Sequence, residues 1–138
     1  MTNPCSLHFS ATDLRDQAET HALELSRRAD ALLVHPDNLF INRRVQLTTL
    51  AARHAVPTMY PLRPNAEADG LMSYGARIAS EYRQAGAYVG RILAGATPAD
   101  LPIQQPTTFE LVINLNTAKT LGMTIPQSVL GLADEVIE

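Results

Sequence analysis

The chain has 138 residues, of which 46% are hydrophobic and 18% are charged, and its formal net charge is −3. This length can bury one core, and the composition is typical of an ordinary globular protein. Eleven Lys and Arg residues against fourteen Asp and Glu residues indicate no basic surface for nucleic acid. The single cysteine, Cys5, excludes an internal disulfide, and we expect a surface thiol there rather than a nucleophile.

The first residues of the chain predict neither export nor a membrane anchor. Residues 1–16 have no basic n-region, no apolar h-region and no small-residue cleavage site, so the sequence as written predicts a cytoplasmic chain. No apolar run approaches the ~20 residues that cross a bilayer. Residues 7–9 predict a weak first strand, and residues 12–28 predict an amphipathic helix capped by Ser10 or Thr12.

Strand and helix patterns then alternate along the chain. Residues 31–34 form a short apolar run, which is typical of a strand covered on both faces in a parallel sheet. A helix starting at Asn38 or Asn42 and reaching residue 55 is predicted next, followed by a strand over 56–60. Residues 61–70 predict a loop or short helix, and residues 71–74 predict another extended segment.

The clearest helix pattern covers residues 77–94. Apolar residues recur there at intervals of four, three, four and three: Ile78, Tyr82, Ala85, Val89 and Ile92. Gly95 is placed to end this helix. Residues 96–108 carry three prolines and predict a connector.

The remaining residues complete the alternation. We expect a strand over 109–113, a short helix over 117–121 ended by Gly122, and a last helix from Pro126 to residue 136. Strands separated by single helices predict an α/β fold with a doubly wound, mainly parallel sheet.

Candidate ligand-binding residues follow the predicted strands, because ligands in such sheets bind beyond the carboxyl ends of strands. Asp37 and Asn38 could hold a ligand ammonium group, or could make the turn and cap the next helix. Arg63 could pair with a ligand carboxylate or serve solubility. Tyr60 and Tyr74 each end a strand and could offer a ring face and a hydroxyl.

No signature of catalysis or of a cofactor occurs in the sequence. The glycine-rich turns of dinucleotide-binding and P-loop proteins are absent, as is the G-x-S-x-G turn of serine hydrolases. The four histidines show no metal-ligand spacing. We therefore expect a protein that is not an enzyme and has no cofactor and no metal. A stand-alone flavodoxin-like signalling or interaction domain is the alternative, and an enzyme of the doubly wound class has the least support.

Five segments together resemble one protein family. They are A-D-A-L-L-V-x-P-D-N at 29–38, A-A-R-H-x-V-P-T-x-Y-P at 51–61, G-L-M-S-Y-G at 70–75, Y-V-G-R-I-L-A-G-A-T-P-A-D-L-P at 88–102 and F-E-L-V-I-N-L-N-T-A-K-T-L-G-M-T-I-P at 109–126. In this order they are similar to the ABC-transporter substrate-binding proteins that include the tryptophan and tyrosine uptake lipoproteins. The resemblance covers about four-fifths of the chain.

The resemblance implies a periplasmic-binding fold of type I, in which two α/β lobes joined by three crossings trap a small molecule such as an amino acid. It also implies an ABC permease as partner and a periplasmic location. Asp37 and Asn38 match the family's turn facing the cleft, and Ser73 and Tyr74 match its hinge.

Members of this family are about twice as long, so the resemblance implies that the chain corresponds to a truncated, carboxy-terminal half. Residues 1–74 would form part of the second lobe, residues 75–113 the hinge crossing and a long helix that packs on the first lobe, and residues 114–138 a return segment. Because each apolar side chain of that helix gains roughly 1.5–3 kcal/mol on burial, we expect a homodimer or segment swap through residues 77–94.

Overall fold

The computed structural model describes residues 29–138. The predictions for Cys5, for the strand at 7–9 and for the helix at 12–28 lie outside these residues. The described elements are β1 Leu32–Leu33, α1 Asn38–Asn42, α2 Arg44–Arg53, β2 Thr58–Tyr60, α3 Arg63–Glu67, β3 Met72–Ala76, α4 Ile78–Leu93, a 3-10 helix Pro98–Asp100, β4 Phe109–Asn114, α5 Leu115–Thr120, α6 Gln127–Leu130 and β5 Glu135–Ile137.

The described strands form one five-stranded sheet in the order β1-β2-β3-β4-β5. Neighbouring strands are parallel except for β3 and β4, which are antiparallel. In the antiparallel pair, Tyr74 lies opposite Leu111 and Gly75 lies opposite Glu110. This arrangement confirms the predicted α/β class with a mainly parallel sheet.

The segment from Pro61 through α3 packs against one face of the sheet. The backbone of Pro61 approaches β3 so closely that a Cβ built on Gly75 would lie 1.9 Å from its carbonyl oxygen. Val112, in the middle of β4, is fully buried, as is Ala66 in α3. Only a residue without a side chain fits at the crossing, so Gly75 lets α3 and β3 pack in direct contact.

Asn114 joins three elements at the end of β4. Its Nδ2 donates a hydrogen bond to the carbonyl oxygen of Ala66 over 3.1 Å, and its Oδ1 accepts one from the backbone N–H of Thr117 over 3.1 Å. The second bond caps α5. A buried amide with both ends satisfied fixes α3 and α5 relative to the sheet.

Of the two long helices predicted, one is continuous in the structure and the other is divided in two. The helix predicted over 77–94 is α4, and Gly95, with φ +102°, follows its end as expected. The helix predicted to begin at Asn38 or Asn42 is interrupted at Arg43, which separates α1 from α2 with φ −104° and ψ 21°. No residue of α4 is buried, whereas α2 buries Thr48.

The helix predicted from Pro126 to residue 136 is wrong beyond Leu130. Helix α6 is only four residues long, and residues 135–137 form β5, parallel to β4. Asp134 guides this pairing, because its N–H donates to the Leu111 carbonyl and its carboxylate accepts from the Leu111 N–H, each over 2.9 Å. Pairing with a neighbouring strand therefore overrides the local helix pattern.

Candidate functional site

The carboxyl ends of β1, β2 and β3 share one edge of the sheet, because these three strands are parallel. The antiparallel strand β4 begins at the same edge, since Phe109 lies opposite Ala76. The turns that leave this edge contain residues 34–37, 61–62 and 77. The candidate ligand-binding residues predicted from the sequence lie on this edge or next to it.

Asp37 caps helix α1 in the structure. Its Oδ1 accepts a hydrogen bond from the backbone N–H of Leu39 over 2.7 Å, and its backbone is extended, as expected for an N-cap. Asn38 is the first residue of α1, and both side chains are exposed. The turn-and-cap interpretation thus describes the geometry, and it leaves both side chains accessible at the edge.

Tyr60 ends β2 as predicted but lies in the core. Its side chain is 1% exposed, so its ring has no free face for a ligand in this structure. Burial raises the pKa of Tyr60 to about 12, and a hydrogen bond with Thr58 acts in the opposite direction. The strand position is therefore correct, whereas the side chain packs inside the described core.

Raising the pH from 10 to 12 is expected to remove about 2–3 kcal/mol of stability through Tyr60. The unfolded tyrosine ionises near pH 10 and the folded one near pH 12, so only the unfolded state loses its proton in this window. The contribution is complete below pH 10 and falls above it. Urea unfolding of the original chain and of Tyr60→Phe at several pH values measures this contribution to the free energy of unfolding. An identical alkaline decline in both proteins would contradict the assignment.

Arg63 begins α3, where two carboxylates hold its guanidinium group. Nε lies 2.6 Å from Oε1 of Glu67, and an Nη atom lies 2.7 Å from Oε1 of Glu135. Hydrogen bonds to Glu67 and Glu135 raise the pKa of the guanidinium above its ordinary value. The Arg63 guanidinium group is therefore paired within the protein, with carboxylates on α3 and β5.

Glu110 extends this cluster to the start of α4. Its carboxylate is only 8% exposed and lies 3.2 Å from Nε of Arg77 and 3.9 Å from an Nη atom of Arg63. The two guanidinium groups offset the cost of burying this carboxylate away from water. Sequence reasoning missed this cluster, although the spacing of Arg63 and Glu67 is that of an ion pair on a helix.

The two predicted hinge residues point to opposite faces of β3. Ser73 is buried, and its Oγ has no hydrogen-bond partner in the described part of the chain. Tyr74 is 54% exposed and stacks on Phe109, which is 47% exposed, with ring centroids 5.9 Å apart and an interplanar angle of 22°. The sheet therefore presents an accessible aromatic pair at its carboxyl edge.

Phe109 is the site residue that the sequence did not reveal. It lies 35 positions after Tyr74, and only the antiparallel register of β3 and β4 brings the two rings together. The accessible candidates at this edge are thus Asp37, Asn38, Tyr74 and Phe109. Residues 29–138 show no group of three or more His, Cys, Asp or Glu side chains that could hold a metal ion.

A family model described as ABC transporter substrate binding protein matches residues 7–137. The chain belongs to this family. A comparison with curated proteins found no match. Among the helices of residues 29–138, none is long and apolar enough to cross a membrane.

Solved structures share the fold of this family member. One is the ABC domain in complex with L-Trp from Streptococcus pneumonia, with a TM-score of 0.81 and 27% identity, covering 93% of this chain and 42% of that one. Another is a conserved domain protein from Vibrio cholerae, with a TM-score of 0.82 and 24% identity, covering 95% of this chain and 43% of that one.

A third is the ligand-free, open form of a substrate binding protein with adhesive properties from Clostridium difficile, with a TM-score of 0.62 and 19% identity, covering 94% of this chain and 42% of that one. The chain thus spans less than half the length of each of these solved relatives. The lobe architecture expected from the resemblance agrees with these neighbours.

Proposed function

We propose that this chain forms one wall of a cleft that binds a small, amino-acid-like solute for an ABC transporter. The observation that carries the proposal is the exposed pair of Tyr74 and Phe109 at the carboxyl edge of the sheet. The family match supports substrate binding, and a neighbour with 27% identity was solved with L-Trp. An amino acid with an aromatic side chain fits both observations.

The roles that we propose follow the accessible groups. The rings of Tyr74 and Phe109 stack on the ligand's planar side chain. Offset stacking of aromatic rings is favourable because it places the electron-rich face of one ring near the electron-poor edge of the other. The Asp37 carboxylate pairs with the ligand ammonium group, and Asn38 adds hydrogen bonds. Arg63 is held by Glu67 and Glu135, so we assign it to fixing the start of α3.

Buried groups receive supporting roles in this proposal. Tyr60 and Ser73 pack beneath the edge and hold the ends of β2 and β3 in register. Residues 75–113 form the hinge crossing and long helix, as the resemblance implies. We place the second wall of the cleft in the part of the relatives that this chain does not span, which is more than half of the L-Trp-bound neighbour. A permease partner and a periplasmic location accompany the proposed transport role.

A thermal-shift screen against the twenty amino acids and small carboxylates tests the ligand class. Binding to the native state alone raises the midpoint of unfolding, by an amount that grows with ligand concentration over Kd. We expect L-tryptophan, L-tyrosine and L-phenylalanine to raise it more than aliphatic amino acids do. A uniform absence of shifts at millimolar ligand would contradict solute binding by this chain.

Two substitutions of Asp37 separate its capping role from its proposed ligand role. Asp37→Ala removes the bond to the Leu39 N–H and is expected to cost about 1 kcal/mol of stability, whereas Asp37→Ser retains a capping oxygen and costs a few tenths. Both remove the negative charge, so both are expected to weaken amino-acid binding roughly tenfold or more. Urea unfolding and calorimetric titration measure the two effects. Full affinity in Asp37→Ser would exclude the carboxylate from the site.

A further inference from the structure

Two arginines, Arg63 and Arg77, lie at the edge of the sheet that carries the proposed ligand site. Arg63 has a carboxylate near each of its three guanidinium nitrogens: Glu67, Glu135 and, at 3.9 Å, Glu110. Among the described carboxylates, Arg77 pairs only with Glu110, through Nε over 3.2 Å. Neither Nη group of Arg77 has a hydrogen-bond partner within residues 29–138, and the side chain is 47% exposed. Arg77 therefore has donors available for a ligand, whereas Arg63 is occupied.

Arg77 directly follows the end of β3, beside the aromatic pair. Its backbone N–H donates to the carbonyl oxygen of Thr108 over 2.9 Å, and the next residue, Phe109, begins β4. Phe109 and Glu110 are neighbours on β4, so their side chains occupy opposite faces of the sheet. Arg77, which pairs with Glu110, and the ring of Phe109 therefore flank the strand ends from two sides. A solute that lies across this edge can contact both.

Asp37 and Arg77 lie at similar distances along the chain from one row of the sheet. Leu33, Met59 and Met72 form that row in the parallel register. Asp37 comes four residues after Leu33, and Arg77 comes five residues after Met72. Because β2 separates β1 from β3, the ends of these two strands are two strand spacings apart, about 10 Å. An amino acid and the two side chains that hold it can bridge such a gap.

We propose that Arg77 binds the carboxylate of the solute whose ammonium group pairs with Asp37. This inference rests on the proposed function and names the residue that selects amino acids over simple amines. A guanidinium group held at Nε presents its two Nη groups as a fork that matches the two oxygens of a carboxylate. Such a partner is required because a ligand carboxylate that leaves water without one loses its hydrogen bonds uncompensated.

Calorimetric titration with L-tryptophan and with tryptamine isolates this contact. Tryptamine keeps the indole ring and the ammonium group and lacks only the carboxylate. We expect the original chain to bind L-tryptophan at least about tenfold more tightly than tryptamine. In Arg77→Gln this preference is expected to shrink to about twofold or less, because only the affinity for L-tryptophan falls. The glutamine amide can still donate to Glu110, so we expect the variant to fold.

Arg83→Gln is the matched control, because Arg83 is exposed, lies six residues farther along the chain and carries the same charge. It is expected to keep the full preference, which separates a direct contact from a change in net charge. Arg77→Lys retains the charge beside Glu110 without the fork and is expected to lose part of the preference.

Each outcome of these titrations decides between the two proposals. Equal affinity of the original chain for both ligands would overturn the role of Arg77 and leave solute binding intact. A preference for L-tryptophan that survives in both Arg77→Gln and Arg77→Lys would do the same. Binding of neither ligand would contradict solute binding by this edge, and the role of Arg77 with it.

Discussion

Replacing Gly75 by alanine is expected to lower the free energy of unfolding by about 3 kcal/mol. The added Cβ would lie 1.9 Å from the carbonyl oxygen of Pro61. That oxygen belongs to the backbone leading into α3, so relief requires the whole segment to move away from β3. The displacement would also disturb the neighbouring strand, because Gly75 pairs with Glu110.

Urea unfolding of Gly75→Ala measures this loss, with Gly131→Ala as the matched control. A Cβ on Gly131 lies 3.4 Å from the nearest atom, the Gln127 carbonyl oxygen, and its backbone is already right-handed helical. The control is therefore expected to stay within about 1 kcal/mol of the original chain. Equal stability of both variants would show that α3 does not pack on β3 as described.

Replacing Asn114 by alanine is expected to cost about 2–4 kcal/mol. The substitution removes the cap of α5 and the partner of the buried Ala66 carbonyl in one step. Both groups lie inside the structure, where water does not readily replace the lost amide. The effect should therefore exceed that of losing a cap at the surface.

Asn116→Ala provides the control, because Asn116 is exposed and lies two residues away on α5. We expect it to change the free energy of unfolding by less than about 0.5 kcal/mol. Hydrogen exchange adds a local measurement, since the Thr117 amide should lose protection in Asn114→Ala and retain it in Asn116→Ala. Similar unfolding curves for the two variants would contradict the bridging role of Asn114.

The helices and strands of the described part were predictable where local periodicity matches the final structure. The apolar intervals of four and three residues predicted helix α4 correctly, because no strand of the described sheet pairs with that segment. Residues 135–137 show the opposite case, because their polar and apolar pattern also suits a helix. Their pairing with β4 depends on Asp134 meeting Leu111, 23 residues away, which local pattern does not encode.

The candidate site was predictable only as an edge of the sheet. The predicted ends of the strands gave the positions of Asp37, Asn38, Tyr60 and Tyr74. They did not show which face of the sheet each side chain would occupy. Tyr60 and Ser73 face the side covered by α3, which makes them core residues. The partner ring of Phe109 and the acids around Arg63 come from distant segments, so they require the register of β3, β4 and β5.

Calorimetric titration of L-tryptophan into the chain and into Tyr74→Leu tests the central claim most directly. Loss of aromatic stacking is worth about 0.5–1.5 kcal/mol, so we expect Tyr74→Leu to bind roughly 2- to 12-fold more weakly, while Tyr74→Phe binds almost as the original chain does. Tyr74 is 54% exposed, so neither change should unfold the protein. Saturable binding with this order of affinities supports a solute-binding edge at Tyr74 and Phe109. No binding, or equal affinity in all three proteins, would contradict it.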